Sequence, residues 1–342
     1  MKRRQPDFEN MRKVLRGEVP ARPVLFEMFM NMDLYKTING GTPDGDDILS
    51  YWKFVVKAFT KLGYDYVTMQ LGFGFPNHKY DNQLKTISLN DSVMIDSWES
   101  FEKYPWPDPD KTDYSILDNI CPYLPDGMQM MVMGPGGVIE NVISLVGYDN
   151  MCYMTYEDPE LLQAIFDGVG SRMVQYYKNV LQHRNIGLIC SNDDWGFNTQ
   201  TFLSPKDMRK YVFPWHKRIV EAAHAAGKPI MLHSCGNMRE VMNDIVEDMK
   251  YDAKHSFEDV IMPIEDFYEK WHDRIALLGG IDMNYICTKS VEEVKARTSA
   301  MLERTATRGG WAVGTGNSIA TYVPLPQFLG MIEATIGYNP MD

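Results

Sequence analysis

The sequence predicts a (β/α)8 TIM barrel, an α/β fold in which eight parallel strands alternate with helices. Two observations carry this prediction. Eight short, largely apolar runs recur along the 342 residues, and amphipathic helical patterns lie in the segments between them. Continuous apolar runs are typical of parallel strands that are buried on both faces. Eight strands with seven crossovers and a final helix fit a single barrel domain over residues 1–342, with two doubly wound halves as the structural alternative.

Each predicted strand is short and is closed by a polar or glycine-rich turn. The third strand ends at the turn 134–137, the fourth at Asp193 and Asp194, and the eighth at the turn 314–316. The two glycine-rich turns match neither GxGxxG nor the P-loop pattern, so they predict tight turns or close backbone approach rather than a nucleotide site. The eight runs occupy residues 24–28, 64–70, 128–133, 186–190, 229–233, 251–255, 275–278 and 311–313.

Helices are predicted where a capping residue precedes an apolar face. Ser204 opens one helix, and Ser290 caps another over 291–304, because a serine oxygen accepts hydrogen bonds from the free N–H groups of a helix start. The last helix is predicted over 325–336. We expect residues 1–22 to form an N-terminal helical lead-in that closes the floor of the barrel.

The segment from about residue 72 to 126 is too long for a simple crossover. It contains Phe73, Phe75, Trp98 and Trp106. A long insertion at the C-terminal end of a barrel strand is often a lid or a wall of the site. The sequence therefore predicts an aromatic insertion after strand 2.

Composition excludes several classes of protein. With 34 basic and 46 acidic residues the formal charge is −12, whereas nucleic acid and anionic membranes both require a basic surface. The chain lacks the apolar run of ~18 residues that a membrane-spanning helix needs, and its charged N-terminus has no secretory apolar core. Five widely spaced cysteines without a CxxC pair predict no disulfide framework. We expect a cytoplasmic protein without nucleic acid or membrane partners.

The strongest local signal for chemistry is the pair His233 and Cys235, just after the fifth predicted strand. Residues two apart on a strand share a face, so both side chains can turn to one side. Imidazole nitrogen and thiolate sulfur both bind zinc, and a catalytic zinc takes three protein ligands. The pair supplies two of them. The structural alternative is a buried histidine bonded to backbone beside an inert cysteine.

Two adjacent carboxylates, Asp193 and Asp194, follow the fourth predicted strand. Neighbouring side chains point to opposite faces of a strand, so one can face the barrel mouth while the other caps a helix. A carboxylate at the mouth can bind metal, orient a ligand histidine or transfer protons. Barrel sites lie beyond the C-terminal ends of the strands. The polar residues at those ends are Glu27, Gln70, Asp193, Asp194, His233, Cys235, His255, Glu258, Asp282 and Asn317.

Several motifs, in order along the chain, resemble the uroporphyrinogen decarboxylase superfamily. The run 233–236 (HSCG) is similar to its HxCG signature, and 193–196 (DDWG) resembles the element before it. The runs 279–282 (GGID) and 316–319 (GNSI) resemble later turns of the family. The run 98–107 (WESFEKYPWP) is similar to a segment of the methyltransferase-like branch. The resemblance covers nearly the whole chain and implies a (β/α)8 barrel.

The decarboxylases of this superfamily hold a porphyrinogen with arginines after the first strand and use an aspartate after the second. Here the first strand is followed by 27–33 (EMFMNMD), which has no arginine, and Gln70 stands where the aspartate is expected. The acidic groups of a porphyrinogen would meet carboxylates without a matching guanidinium. The sequence therefore argues against porphyrinogen decarboxylation.

The other branch contains cobalamin-dependent methyltransferases. These move a methyl group between a small molecule and a corrinoid carried by a separate protein. Their zinc is held by the His and Cys of HxC and by a later cysteine, which aligns here with Asn317. The resemblance thus implies either zinc on His233 and Cys235 with a different third ligand, or a site that has lost zinc. Substitutes on neighbouring strand ends are Glu27, Asp194, His255 and Glu258, of which Asp194 and Glu258 are preferred.

The resemblance implies a methyltransferase acting on a small methylated substrate with a corrinoid protein as partner. The 24 methionines and 19 tyrosines indicate soft core packing or a site for a flat ligand, and with the aromatic insertion they favour a methoxyaromatic over a methylamine. The alternatives are a methylcorrinoid:thiol or folate methyltransferase, a decarboxylase and a non-catalytic binding barrel. The predicted roles are catalysis for His233, Asp194 and Asn317, and substrate binding for Glu27, Gln70, Trp195 and His255.

Overall fold

The computed structural model describes residues 4–77, 89–90 and 93–338. Within these residues, seven parallel strands form one curled sheet in which each strand pairs with its neighbours in sequence. With the surrounding helices, this is a (β/α)8-type barrel, as the sequence predicts. The strands are β1 (Tyr66–Gln70), β2 (Gln129–Met133), β3 (Ile186–Asn192), β4 (Ile230–His233), β5 (Ala253–His255), β6 (Ala276–Leu278) and β7 (Trp311–Ala312).

Most crossovers between the strands contain helices, and the predicted capping signals hold. Ser290 forms a capping box at the start of its helix, and Ser204 accepts from a backbone N–H of the turn that follows it. In the described ranges, no helix is long and apolar enough to cross a membrane. The helices are α1 (Glu9–Leu15), α2 (Met32–Asn39), α3 (Ile48–Leu62), α4 (Trp98–Lys103), α5 (Ile116–Asn119), α6 (Val138–Val146), α7 (Tyr148–Glu157), α8 (Pro159–Val180), α9 (Pro205–Asp207), α10 (Phe213–Ala225), α11 (Ile264–Trp271), α12 (Met283–Thr288), α13 (Val291–Thr305) and α14 (Leu325–Gly337).

The first predicted strand, 24–28, closes the barrel without joining a ladder on both sides. On one side, Leu25 forms a parallel bridge with Val313, just after β7. On the other side, the buried Tyr66 hydroxyl accepts from the Glu27 backbone N–H at 2.7 Å and donates to the Glu27 carbonyl at 2.5 Å. A side chain of β1 therefore replaces the backbone bonds that an eighth strand would make.

The predicted lead-in closes the floor of the barrel. The Asp7 backbone N–H donates to the Asp65 carboxylate at 2.8 Å, just before β1. The Phe8 N–H donates to the Gly127 carbonyl at 3.0 Å, just before β2. A β-carbon at Gly187, near the start of β3, would overlap the Phe8 ring. Because all three contacts lie at strand N-termini, α1 covers the end of the barrel opposite the predicted site.

The insertion after β1 is present, with residues 78–88 and 91–92 outside the described part. Trp106 lies against the guanidinium of Arg172 in α8, 4.6 Å from the ring centroid. Phe73 stacks on a tyrosine ring of the same helix at 5.6 Å. Phe73 and Trp106 thus both pack against α8, and the role of the insertion as a lid or a wall of the site stays a prediction.

Candidate active site

Three possible metal ligands meet at the C-terminal ends of β3 and β4. The ligand atoms of Asp194, His233 and Cys235 all lie within 4.8 Å of one another. His233 Nε2 is 3.7 Å from Asp194 Oδ1 and 3.8 Å from Cys235 Sγ. Ligands of a tetrahedral zinc are on the order of 3.5 Å apart, because zinc binds nitrogen, oxygen and sulfur at about 2.0–2.3 Å. The donor set and its spacing therefore fit zinc.

Strand pairing brings these three residues together. Asn192 of β3 pairs with His233 of β4, so Asp194 leaves β3 beside the end of β4. The Cys235 backbone N–H donates to Asp194 Oδ1 at 2.8 Å and joins the two loops. The Asp194 side chain is 37% exposed and that of His233 is 9% exposed. The Asp194 side chain is therefore more accessible to solvent than that of His233.

The sulfur of Cys235 receives two hydrogen bonds from residues on other strand ends. Ser256 Oγ and Asn317 Nδ2 both donate to it at 3.3 Å. Burial, reinforced by the Asp194 charge, raises the pKa of the Cys235 thiol to about 12. Zinc binds the thiolate, so metal binding at this site would release the thiol proton. Asn317, predicted to occupy the position of the family's later cysteine, does contact the cluster.

Behind the cluster, His233 is held by a second histidine. The two Nδ1 atoms of His233 and His255 lie 2.8 Å apart, and His255 Nε2 is 3.2 Å from the Thr315 carbonyl. Burial lowers the pKa of His233 to about 4 and that of His255 well below its usual value. Both rings are thus neutral at pH 7, the form in which histidine binds metals. His255 is fully buried behind His233, and its predicted substrate contact stays a prediction.

Glu258 does not join the three ligand atoms, although the sequence left it as an equal candidate with Asp194. It lies on the loop after β5, where its charge acts on Cys235 and on the buried Lys254. Lys254 Nζ donates to the Ser256 carbonyl at 2.6 Å, and burial lowers its pKa to about 8. The structure therefore favours Asp194 as the third ligand.

Asp193 turns away from the mouth, as the alternation along the strand predicts. Its carboxylate accepts from the N–H groups of Ile139 and Glu140 at 3.1 Å, at the start of α6, and lies 2.8 Å from His216 Nε2. Trp195 is fully buried and packs against the His216 ring at 4.9 Å. The Trp195 side chain therefore packs against α10, and its predicted substrate contact stays a prediction.

Glu27 is also turned inward. It is fully buried, and its carboxyl group is 2.9 Å from the Thr315 backbone N and 2.7 Å from the Thr315 hydroxyl. That hydroxyl also bonds to the Asn317 carbonyl. Because one hydroxyl has one proton for two acceptors, a protonated Glu27 satisfies all three groups. Burial raises the pKa of Glu27 to about 8, which agrees. Through Thr315, Glu27 holds the loop that carries Asn317, and its predicted substrate contact stays a prediction.

Gln70 ends β1 with an exposed side chain, and its role in substrate binding stays a prediction. The sequence reasoning missed Ser256, Thr315 and Lys254. One signal was present for Lys254, since a lysine within a predicted buried strand is unusual. Ser256 and Thr315 carry no such signal, because serine and threonine are common in turns.

Three possible metal ligands thus cluster at the C-terminal ends of the strands, where barrel enzymes have their active sites. The sequence profile described as Uroporphyrinogen decarboxylase (URO-D) matches residues 89–338. The chain therefore belongs to the uroporphyrinogen decarboxylase family, as the motifs indicated. Among curated proteins, none matches this sequence.

Two solved structures show the same fold at low sequence identity. A methyltransferase from Methanosarcina mazei is similar with a TM-score of 0.71 and 14% identity, over 96% of this chain and 97% of that chain. A Listeria monocytogenes protein described as a vitamin-B12 independent methionine synthase gives a TM-score of 0.51 and 11% identity, over 92% of this chain and 96% of that chain. These likenesses confirm the barrel fold.

Proposed function

We propose that the protein is a methyltransferase of this family that moves a methyl group from a small methylated substrate to the corrinoid of a partner protein. The observation that carries the proposal is the cluster of Asp194, His233 and Cys235 at the barrel mouth, whose spacing suits zinc. The likeness in fold to a methyltransferase supports the same conclusion.

The residues at the site have different proposed roles. His233, Cys235 and Asp194 would hold zinc, and zinc there would act as a Lewis acid toward the heteroatom that loses its methyl group. Asn317 and Ser256 donate to Cys235 Sγ and fix the sulfur in place. The Asp194 side chain is more exposed than that of His233, so we place the substrate on its side of the cluster.

The charges near the cluster suit a small substrate better than a porphyrinogen. Within the part of the chain that the structure describes, Lys254 is the one cation among the charges that act on His233, and this residue is buried. A substrate with many carboxylates would need several exposed guanidinium groups at the mouth. This observation favours methyl transfer over the decarboxylase alternative.

We favour a methoxyaromatic substrate, with a methylamine as the nearest rival. The support is an aromatic group on the loop after β3, where Phe197 packs edge-on against Phe202 at 4.8 Å and against Tyr148 at 5.7 Å. Phe197 is 41% exposed. Exposed aromatic edges on the loop that carries Asp194 suit a flat ring.

The test is a methyl transfer assay with chemically reduced cob(I)alamin and a panel of methoxyaromatics and methylamines. We expect methylcobalamin to form, with release of the phenol when the substrate is a methoxyaromatic. Cys235→Ala should abolish the reaction, and Cys121→Ala, which removes a thiol from the insertion, should not change it.

Other outcomes would overturn the proposal in favour of a specific alternative. Methyl transfer only from methylcobalamin to a thiol or a folate would support the reverse half-reaction. Release of CO2 from a porphyrinogen, with no methyl transfer, would support a decarboxylase. No turnover of any substrate by the zinc-loaded protein would support a binding barrel.

A further inference from the structure

The histidine behind the cluster determines which nitrogen of His233 carries the proton. His255 is fully buried, with its ring edge against the Phe26 ring at 5.1 Å. Its Nδ1 lies 2.8 Å from His233 Nδ1, and its Nε2 lies 3.2 Å from the Thr315 carbonyl oxygen. His255 therefore lies between the Thr315 carbonyl, which can only accept a hydrogen bond, and His233 Nδ1, which can donate or accept one.

Counting donors gives a single assignment for neutral rings. The Thr315 carbonyl has no proton, so His255 Nε2 must donate to it. A neutral His255 then has only a lone pair on Nδ1, so His233 Nδ1 must carry the proton between the two rings. This leaves the lone pair of His233 on Nε2, the atom that faces Asp194 Oδ1 and Cys235 Sγ.

The opposite arrangement is costly. It would place a second proton on His255 and form an imidazolium that is fully buried, with a carbonyl and a second histidine as its hydrogen-bond partners. Burying a charge without a countercharge is strongly unfavourable. It would also leave the remaining proton of His233 on Nε2, where it would block binding of a metal ion.

Strand pairing and hydrogen bonds from other strand ends fix the positions of His233, His255 and the Thr315 carbonyl. His233 and His255 are paired residues of β4 and β5, so the sheet fixes their separation. The Thr315 carbonyl also accepts from the Gly280 N–H at 3.0 Å. The Thr315 backbone N–H and hydroxyl are both bonded to Glu27. Three strand ends therefore fix the acceptor that orients His255.

We propose that His255 is a positioning residue that accepts the Nδ1 proton of His233 and so presents the Nε2 lone pair to the metal. The metal part of this statement rests on the proposed function. The tautomer part does not, because it concerns the hydrogen bonds of the metal-free protein.

The first experiment is imidazole 15N spectroscopy on the metal-free wild-type protein at neutral pH, with His233 assigned by comparison with His233→Gln. We expect a protonated Nδ1 and an unprotonated Nε2 on His233, and the reverse on His255. A proton on His233 Nε2, or a doubly protonated His255, would overturn the proposal, whether or not the protein binds zinc.

The second experiment measures zinc affinity by competition with a chromogenic chelator. His255→Leu removes the acceptor and should weaken zinc binding by about 10–100-fold, the usual effect of losing a partner of a metal ligand. His255→Asn offers Oδ1 where Nδ1 stood and should restore most of the affinity. His272→Leu, at the floor of the barrel, is the matched control and should leave the affinity unchanged.

These outcomes separate the inference from the proposed function. If the wild-type tautomer is as expected but the wild-type protein binds no zinc, the proposed zinc site fails and the hydrogen-bond assignment stands. If zinc binds and folded His255→Leu, checked by circular dichroism, retains full affinity, the positioning role of His255 is overturned while the zinc site stands.

Discussion

Two aspartate–histidine pairs lie just beyond the C-terminal end of β3, one on each side of the sheet. They differ in how many hydrogen bonds their side chains form. In the outer pair, Asp193 and His216 lie 2.8 Å apart with side chains that are 0% and 1% exposed. In the inner pair, Asp194 and His233 lie 3.7 Å apart with side chains that are 37% and 9% exposed. The same two residue types thus form a closed contact on one face and a wider, more accessible one on the other.

The partners of each pair explain the difference. Asp193 accepts from two backbone N–H groups of α6, and His216 Nδ1 is 2.7 Å from the Tyr251 hydroxyl. In the inner pair, Asp194 Oδ1, His233 Nε2 and the nearby Cys235 Sγ face one another at distances longer than hydrogen bonds between nitrogen and oxygen. A saturated pair stabilises the fold, whereas a cluster of converging ligand atoms can hold a metal.

The largest expected effect on stability separates the two carboxylates. Asp193→Ala leaves a buried histidine and two helix N–H groups without their acceptor, so it should lower the free energy of unfolding by about 3–5 kcal/mol. Asp194→Ala removes one accepted bond at a half-exposed position and should cost about 1 kcal/mol. Urea unfolding of the metal-free variants measures both. Equal losses would contradict the division into a structural and a functional pair.

A larger side chain at Gly137 tests how rigidly Asp193 of the outer pair is held. A β-carbon at Gly137, at the start of α6, would overlap the Asp193 carboxylate. Gly137→Ala should therefore cost about 1–3 kcal/mol, the usual range for overpacking. The control is Gly72→Ala, where the added β-carbon has no neighbour within 4 Å. If thermal unfolding shows both variants to be equally stable, Asp193 is free to move and the outer pair is less rigid than described.

The pH dependence of stability tests the role of Glu27. Burial raises the pKa of Glu27 from 4.5 to about 8 in the folded state. Its contribution to stability is therefore complete below the ordinary glutamate pKa and is lost as the pH rises toward 8. Between these limits the unfolded chain binds one proton fewer than the folded chain, which lowers the free energy of unfolding by up to about 1.4 kcal/mol per pH unit.

Glu27→Gln isolates this effect, because glutamine keeps a donor for the Thr315 hydroxyl and does not titrate. Urea unfolding at several pH values from about 5 to 8 should show a smaller decline for the variant than for the wild type. If the two decline in parallel, Glu27 is ionised in the folded protein, and the hydrogen-bond assignment at Thr315 is wrong.

The smallest expected effect is a change in zinc affinity when Asn317, beside the inner cluster, is replaced. Asn317 Nδ2 is 3.3 Å from Cys235 Sγ, so a thiol at this position would stand beside the other ligands. Asn317→Cys should raise zinc affinity by about tenfold, because thiolates are strong zinc ligands. Asn317→Ser, which adds no thiolate, is the control. Equal affinity of the wild type and both variants would show that residue 317 does not face the metal.

Much of the fold could be predicted because buried strands and capped helices leave local patterns. The seven strands of the sheet fall within the predicted apolar runs, or within two residues of them, and α13 and α14 begin at the predicted residues. The exception is 24–28, where the Tyr66 hydroxyl takes over the bonds to β1. A sequence pattern does not reveal that a side-chain hydroxyl will take the place of backbone hydrogen bonds between two strands.

The site was harder to predict, because position at a strand end does not tell how deeply a side chain is buried. Alternation along β3 correctly separated Asp193 from Asp194. It could not show that Glu27 and His255 lie beneath the mouth, or that Trp195 turns toward α10. The choice of Asp194 over Glu258 needed the pairing of β3 with β4, which brings residues 41 positions apart into contact.

We propose a zinc site on Asp194, His233 and Cys235 and none on the outer pair, Asp193 and His216. The most direct test is the zinc content per chain of the purified protein, measured by elemental analysis beside His233→Ala, Cys235→Ala and the outer-face variant His216→Asn. We predict about one zinc in the wild type and in folded His216→Asn, and none in the two cluster variants. A wild type without zinc after purification in its presence, or cluster variants that keep the metal, would contradict the account.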